Sequence, residues 1–164
     1  MKRIVCAVFL VLTLIWIGFI FSNSLDNGTE SGEKSEAVHQ VVNNVAHALG
    51  IHAEIPEATV RVAAHFTEFA VLGFLSALDL SLLLPLHRAD PLSRRHAWVL
   101  ASLPFSILVA VIDETMQFFS PDRAMQFVDV LVDSGGALFG VLGFAAIFFL
   151  FRAIYLRQKK VLGS

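Results

Sequence analysis

Acidic residues and one histidine interrupt stretches of this chain that are otherwise apolar. They form three pairs, one in each of three stretches: His65 and Glu68, Asp113 and Glu114, and Asp129 and Asp133. An ionised Asp at the centre of a membrane helix costs about 2.5 to 3.5 kcal/mol on insertion scales, so such residues are usually paired, hydrated or functional. Because the pairs lie at matching depths in their stretches, we expect them to form one site.

The first pair combines an imidazole with a carboxylate. His65 and Glu68 are three residues apart, so on a helix their side chains are neighbours on one face. The two groups can share a proton or bind a cation. In the alternative interpretation they only neutralise each other and link helices.

The second pair is adjacent in sequence, so on a helix the two side chains point about 100° apart. Gln117 lies one turn after Asp113 and shares its face. We therefore expect Asp113 to point into the protein and Glu114 to face water, a loop or head groups. Pro104 lies within the preceding apolar stretch and lacks an amide hydrogen, which predicts a bend in the helix.

The third pair consists of two carboxylates one turn apart. Asp129 and Asp133 share a helix face, where like charges repel each other. The nearest cation in sequence is Arg123, which we expect to balance them. Gly136 and Gly140 follow in a small-xxx-small pattern that allows a second helix to approach closely. The acidic face is therefore expected to contact protein and not lipid.

The composition is far more apolar than that of an ordinary soluble domain. Hydrophobic residues make up 56% of the 164, charged residues only 16%, and there are 15 Phe; the mean hydropathy is +0.71. These values are typical of a membrane protein. The net charge of -2, with no basic stripe, argues against nucleic-acid binding. A single cysteine, Cys6, excludes an internal disulfide bond.

Four stretches are long enough to cross a hydrocarbon layer about 30 Å thick, which needs about 20 apolar residues. They are residues 4–21, 62–86, 97–119 and 127–151. In an alternative interpretation the first is a signal peptide, but it is longer than a typical one and no small-x-small cleavage pattern follows it. The sequence thus predicts an all-α membrane protein with four transmembrane helices.

Lys and Arg residues are distributed unevenly between the two sides of this arrangement. One side has nine: Lys2, Arg3, Arg88, Arg94, Arg95, Arg152, Arg157, Lys159 and Lys160. The other side has three: Lys34, Arg61 and Arg123. The positive-inside rule then predicts that both termini are cytoplasmic. Residues 1–151 would form a single membrane domain, and residues 152–164 a basic cytoplasmic tail.

Residues 22–61 are predicted to lie on the outer side. They begin with a stretch rich in Ser, Asn and Gly that is typical of a loop. Apolar residues recur at helical spacing from Ser35, and Gly50 is a typical helix stop. A short amphipathic helix is therefore expected, on the membrane surface or over the outer end of the bundle. His39 and His47 on its polar side suggest either a metal pair or a hydrated helix face.

The segment HFTEFAVLGF, followed by DETMQFFSPDRAMQFVDVLVDSGGALFG, resembles the VanZ-like family. The family pattern has His-x-x-Glu-Tyr on one helix, then Asp-Glu-x-x-Gln, a Pro-x-Arg turn, an Asp and a Gly-rich helix start. The serine-rich stretch FSNSLDNGTESGEKS is also similar, and the resemblance covers about residues 16–144. Phe69 stands where the family tends to have Tyr. Asp133 stands where it tends to have Asn, which adds a negative charge.

Proteins similar to this one are multi-helix membrane proteins of bacteria, and the founding member is associated with resistance to the glycopeptide antibiotic teicoplanin. The resemblance therefore implies a protein of the bacterial plasma membrane that binds or modifies an envelope lipid or a glycopeptide. The candidate catalytic residues are His65, Glu68, Asp113 and Asp129. The candidate substrate-binding residues are Glu114, Gln117, Arg123 and Asp133.

Several functions are compatible with such a site. It could bind an amphiphile, or modify it by acid-base or metal-assisted chemistry, and carboxylates with a histidine would suit a divalent cation. Alternatively the polar groups are only a structural core, or they belong to a transport path that includes Asp79. Leu72 and Leu75 lie between Asp79 and Glu68 and argue against such a path. No serine has a nucleophile-elbow context, and HFTEF lacks the second His of zinc proteases.

Overall fold

The computed structural model describes residues 2–25, 28–84, 99–119 and 126–162, and helices are the only regular secondary structure in them. Side chains of residues 2, 28–34 and 159–162 lie outside this description. The described part contains five helices: α1 (Lys2–Ser24), α2 (Gly28–Ala48), α3 (Glu57–Leu83), α4 (Leu103–Phe118) and α5 (Phe127–Leu162). The all-α prediction is confirmed for these residues.

Three of these helices are long and apolar enough to cross a membrane. The apolar segments are Arg3–Ser24 in α1, Glu57–Leu83 in α3 and Phe127–Gln158 in α5. They correspond to the first, second and fourth predicted spans. The third predicted span corresponds to α4, whose 16 residues measure about 24 Å at about 1.5 Å per residue. Helix α4 alone is therefore shorter than the hydrocarbon layer.

The bend expected at Pro104 in the middle of a helix is not present. Pro104 lies in the first turn of α4, which begins at Leu103. A proline is well accommodated there because the first amide groups of a helix have no partner within the helix. The preceding turn is closed by a hydrogen bond from the Ser102 amide to the Val99 carbonyl (3.2 Å).

Helix α2 is longer than predicted, since it begins at Gly28 and not near Ser35. The Ser- and Asn-rich stretch was also wrongly predicted as a loop from residue 22, because α1 continues to Ser24. The predicted stop at Gly50 is confirmed by its left-handed backbone (φ 85°). The Ile51 amide donates to the Ala46 carbonyl (2.9 Å) and the Gly50 amide to that of His47 (3.0 Å), which is a Schellman motif.

The polar side of α2 holds the segment that leads into α3. The Asn43 Oδ1 accepts a hydrogen bond from the Ile55 amide (2.9 Å). A ring nitrogen of His39, Nε2, lies 2.7 Å from the Ile55 carbonyl oxygen. His47 lies near the ring of His52, with the centroids 6.2 Å apart. His39 therefore contacts the connecting segment, whereas His47 on the same side of the helix is exposed.

Helices α3 and α5 form the most extensive helix contact, and three glycines bring their backbones together. A side chain at any of these glycines would overlap a backbone carbonyl of the other helix. The overlapping pairs are Gly73 with Ala137, Gly136 with Phe66, and Gly140 with Ala70. The small-xxx-small pattern thus has the role that its spacing predicted.

An apolar layer crosses the middle of the bundle. Its buried residues are Ile20, Phe69, Leu72, Val109, Ala110 and Ala137, from α1, α3, α4 and α5. A second apolar cluster contains Ala77, Val99, Val141 and Phe144. Large apolar side chains also cover much of the outer surface of α1 and α5, which is the arrangement that lipid favours.

We expect Gly140→Ala to destabilise the protein, because the added methyl group overlaps the Ala70 backbone, which cannot move without displacing α3. Overpacking of this kind costs about 1–3 kcal/mol, so the thermal unfolding midpoint in detergent should fall. Gly143→Ala is the matched control, since a methyl group there meets nothing within 4 Å. Equal midpoints for the two variants would contradict the close packing of α3 and α5.

Candidate functional site

Three of the predicted site residues meet between three helices. His65 of α3, Asp113 of α4 and Asp133 of α5 each offer one ligand atom, and these atoms all lie within 4.8 Å of one another. The Nδ1 atom of His65 is 3.7 Å from Oδ1 of Asp133. Asp113 and Asp133 are fully buried. The convergence of the three helices on one group of polar side chains is the geometry that a shared site requires.

Asp113 is held by hydrogen bonds at both carboxylate oxygens. The Ser24 hydroxyl donates to Oδ1 (2.5 Å), and the Gln117 amide nitrogen donates to Oδ2 (3.3 Å). Asp113 therefore points inward together with Gln117, as their shared helix face predicted. Ser24 comes from α1, so a fourth helix takes part in the site.

Helix α1 also contacts Glu68. Asn23 donates a hydrogen bond from Nδ2 to Oε1 of Glu68 (3.1 Å), and Trp16 donates from its indole nitrogen to the Glu68 backbone carbonyl (2.9 Å). The carboxylate of Glu68 lies near enough to Asp113 for their charges to repel each other. This contribution was not predicted from the sequence because α1 contains no acid. The available signal was the seven-residue spacing of Trp16 and Asn23, which places both on one helix face.

Glu114 was expected to face water, a loop or head groups, and of these three the structure shows the loop. Its side chain is fully buried, and its Oε1 accepts a hydrogen bond from the Gln126 amide (2.6 Å). Gln126 immediately precedes α5, so the start of that helix covers the side of α4 that the isolated helix would expose. Both adjacent acids are therefore inside the protein.

Asp129 lies further out than the buried group. Its Oδ2 is 3.9 Å from the guanidinium of Arg61 on α3. A cation near Asp129 was expected, but the described one is Arg61; Arg123 lies outside the described residues. The contact is loose, and the Arg61 side chain is 41% exposed. Arg61 and Asp129 thus form an outer layer of the polar region.

An open cleft of about 400 Å³ lies beside this ion pair. It is lined by the first turns of α3 and α5: Glu57, Ala58, Arg61, Val62, Gln126 and Asp129. Arg61 precedes His65 by four residues, and Asp129 precedes Asp133 by four. The cleft therefore lies about one helical turn from the buried group.

Asp79 belongs to a separate polar contact at the other end of α3. The Thr13 hydroxyl donates to its Oδ2 (2.6 Å). Ser106 and Ser76 form another buried contact, at 3.4 Å between their hydroxyl oxygens. The apolar layer that contains Phe69 and Leu72 lies between Glu68 and Asp79 along α3. Arg88 and Arg95, the expected partners of Asp79, lie outside the described residues.

Long apolar helices that enclose buried carboxylates define the chain as a membrane protein. A model of one family, VanZ/LLP1, matches residues 9–152. The chain belongs to the VanZ/LLP1 family, and the resemblance seen in the sequence is confirmed. The matched region includes all of the site residues. The searches of curated proteins and of solved structures gave no match.

We expect Ser24→Ala to lower stability, because it removes a buried hydrogen bond to the Asp113 carboxylate. Hydrogen bonds to charged groups contribute about 1.5–3 kcal/mol. Ser22→Ala is the matched control on the same turn of α1, since Ser22 is exposed. The measurement is the thermal unfolding midpoint of each purified variant in one detergent. A drop shared equally by both variants would contradict the assigned role of Ser24.

Proposed function

We propose that this protein is a multi-pass protein of the bacterial plasma membrane that binds the head group of a cell-envelope amphiphile. The observation that carries the proposal is the open cleft between the first turns of α3 and α5. It lies one helical turn from the buried group of His65, Asp113 and Asp133. A ligand in the cleft would therefore contact the partly exposed guanidinium of Arg61. The buried carboxylates of Asp113 and Asp133 would lie about one helical turn further into the protein.

The proposed topology has four transmembrane segments, with both termini cytoplasmic. Helix α4 completes the third segment together with the residues that precede it, including the helical residues 99–100. Residues 1–151 are one domain, and residues 152–164 are the basic tail. The cleft then opens to the outer side. Helix α2 would lie on the outer membrane surface, because its apolar residues Val38, Val41 and Val45, and Leu49 directly after it, are exposed.

The polar groups of the cleft suggest what kind of head group fits. Arg61 is partly exposed and only loosely paired, so its guanidinium can bind a phosphate or carboxylate with two parallel hydrogen bonds. Glu57 and Asp129 line the same space and can accept hydrogen bonds from hydroxyl or amine groups. The proposed ligand is therefore an anionic head group that also carries such donors.

An amphiphile fits better than a fully soluble molecule because apolar side chains accompany the polar groups of the cleft. Val62 lines it, and Phe127 and Val128 directly follow the lining residue Gln126 in sequence. These three side chains are exposed and would contact the acyl chains of the ligand or of surrounding lipid. A head group held by Arg61 would thus keep its apolar part within the bilayer.

The roles that we assign follow the depth of each residue. Asp129 binds the head group at the entrance, and His65, Glu68 and Asp113 are the acid-base candidates if binding is followed by chemistry. Glu114, Gln117, Asp133 and Arg123 are assigned to binding. Analysis of bound lipids for a modified product separates an enzyme from a binding protein.

A structural role for the polar core is a second candidate. It is favoured by the contacts that attach α1 to the bundle: Thr13 with Asp79, Ser24 with Asp113, and Asn23 with Glu68. These hydrogen bonds would hold the helices together even if no ligand bound. A conservative substitution in the polar core distinguishes the two candidates. If the core is a binding site, the substitution lowers ligand affinity and leaves the fold intact. If the role is structural, there is no ligand affinity to lose.

Arg61→Gln is expected to weaken binding of an anionic phospholipid by at least about 10-fold, equivalent to about 1.4 kcal/mol. The probe is a short-chain phosphatidylglycerol, titrated calorimetrically into protein in a neutral detergent. Arg157→Gln, at the opposite end of the long α5, is the matched control and should bind like the wild type. Unchanged affinity in Arg61→Gln would overturn the proposed place of the head group.

The family resemblance also supports a test with teicoplanin. We expect expression of the wild-type protein in a susceptible bacterium to raise the inhibitory concentration of teicoplanin, and Glu68→Gln or Asp129→Asn to abolish the increase. Glutamine keeps the acceptor for Asn23, so the fold should persist. Asp79→Asn, distant from the cleft, is the control. Expression level and unfolding midpoint are measured in parallel, and equal loss of folding would favour the structural role.

A further inference from the structure

We infer that His65, Asp113 and Asp133 form a binding site for a divalent transition-metal cation. The three residues come from α3, α4 and α5, and their ligand atoms lie within 4.8 Å of one another. One imidazole nitrogen and two carboxylate oxygens are a ligand set that such cations accept.

Asp133 provides an independent reason to expect a ligand. Its side chain is 0% exposed, and within the described part of the chain neither of its carboxylate oxygens has a hydrogen-bond partner. The His65 Nδ1 atom, at 3.7 Å, is too distant for a hydrogen bond. A buried carboxylate without hydrogen bonds is costly, and a bound cation would remove that cost.

The charges around Asp133 favour a cation further. Four carboxylates lie near enough to repel a negative charge on it: Asp113, Asp129, Glu114 and Glu68. All of them lie on α3, α4 or α5. A divalent cation between His65, Asp113 and Asp133 would replace this repulsion by attraction.

The distances require a local adjustment. Two atoms bound to one Zn²⁺ at about 2.1 Å in a tetrahedral site lie about 3.4 Å apart. The 3.7 Å between His65 Nδ1 and Asp133 Oδ1 is already close to this value. Separations near the 4.8 Å limit of the group would have to close by about 1.4 Å, which side-chain rotation of His65 and Asp133 can supply.

The ligand types favour a transition metal over Mg²⁺ or Ca²⁺. Both alkaline-earth cations prefer oxygen ligands alone, whereas imidazole suits Zn²⁺, Fe²⁺ and related ions. The site therefore predicts stronger binding of Zn²⁺ or Co²⁺ than of Mg²⁺.

The surroundings constrain all three ligands. Asp113 accepts hydrogen bonds from Ser24 and Gln117, which is the kind of outer contact that orients a metal-binding carboxylate. His65 immediately precedes Phe66, whose carbonyl contacts Gly136, and Asp133 lies three residues before Gly136. The close contact between α3 and α5 thus limits the separation of His65 and Asp133.

The inference goes beyond the proposed binding of an amphiphile and does not depend on it. The cleft at Arg61 lies one turn outside the metal ligands, and a cation there would lie beneath the head group. Metal binding can be measured on purified protein without any envelope ligand.

The test uses full-length protein, stripped with a chelator in detergent and then titrated with Co²⁺. We expect about one ion per chain, a visible absorption band of bound Co²⁺, and a higher unfolding midpoint with metal. Asp133→Asn and His65→Gln should each weaken binding by at least about 100-fold, more than is usual for loss of an outer-shell group. Asp79→Asn, a buried carboxylate outside the site, should bind as the wild type does.

Two results would overturn the inference: no binding of Co²⁺ or Zn²⁺ by folded wild-type protein, or equal binding by wild type, Asp133→Asn and His65→Gln. Asp133→Asn keeps the shape of the side chain and removes a buried charge, so it should fold; His65→Gln is the second variant if it does not. Arg61→Gln should retain the metal. A variant that loses phospholipid binding but keeps the metal, or one that loses the metal but keeps phospholipid binding, therefore separates the two proposals.

Discussion

The backbones of α3 and α5 touch at Gly73, Gly136 and Gly140, and the positions of the polar residues depend on this contact. In lipid, apolar side chains provide little force that brings helices together, so close backbone packing and polar contacts must do so. Because His65 and Asp133 lie just outside the first glycine contact, the packing that joins the helices also brings an imidazole and a carboxylate together. The same geometry leaves a cleft where the two helices begin.

Polar contacts between helices add to the packing that the glycines allow. Helix α1 carries no acid, yet Ser24 and Asn23 donate hydrogen bonds to carboxylates of α4 and α3. Each bond satisfies a charge that the bilayer would penalise and also fixes the position of α1. At the other end of the bundle Thr13 does the same for Asp79. The bundle is therefore held at two polar levels, with the apolar layer between them.

The extent to which this arrangement could be predicted depends on whether one helix or several determine a residue's environment. The periodicity of a single helix correctly paired Asp113 with Gln117 and found the stop at Gly50. It left water, a loop and head groups open for Glu114, because only helix packing shows that the chain entering α5 covers that side of α4. It did not predict that Glu114 is fully buried. It failed for Pro104 because the start of α4 depends on a turn at residues 101–102. Arg61 was overlooked as the partner of Asp129 because the two are distant in sequence and meet only through helix packing.

The connection between α2 and α3 has a mechanical consequence. Gly50 ends one helix, and two residues before α3 the backbone of Ile55 is held by Asn43 and lies against His39. The segment of residues 49–56 that connects α2 to α3 is therefore constrained near both of its ends. In the proposed topology α2 lies at the lipid surface, and a change in its depth there would be passed to Glu57 and Arg61, which line the cleft. Under that proposal, membrane thickness or lateral pressure would alter the width of the cleft entrance.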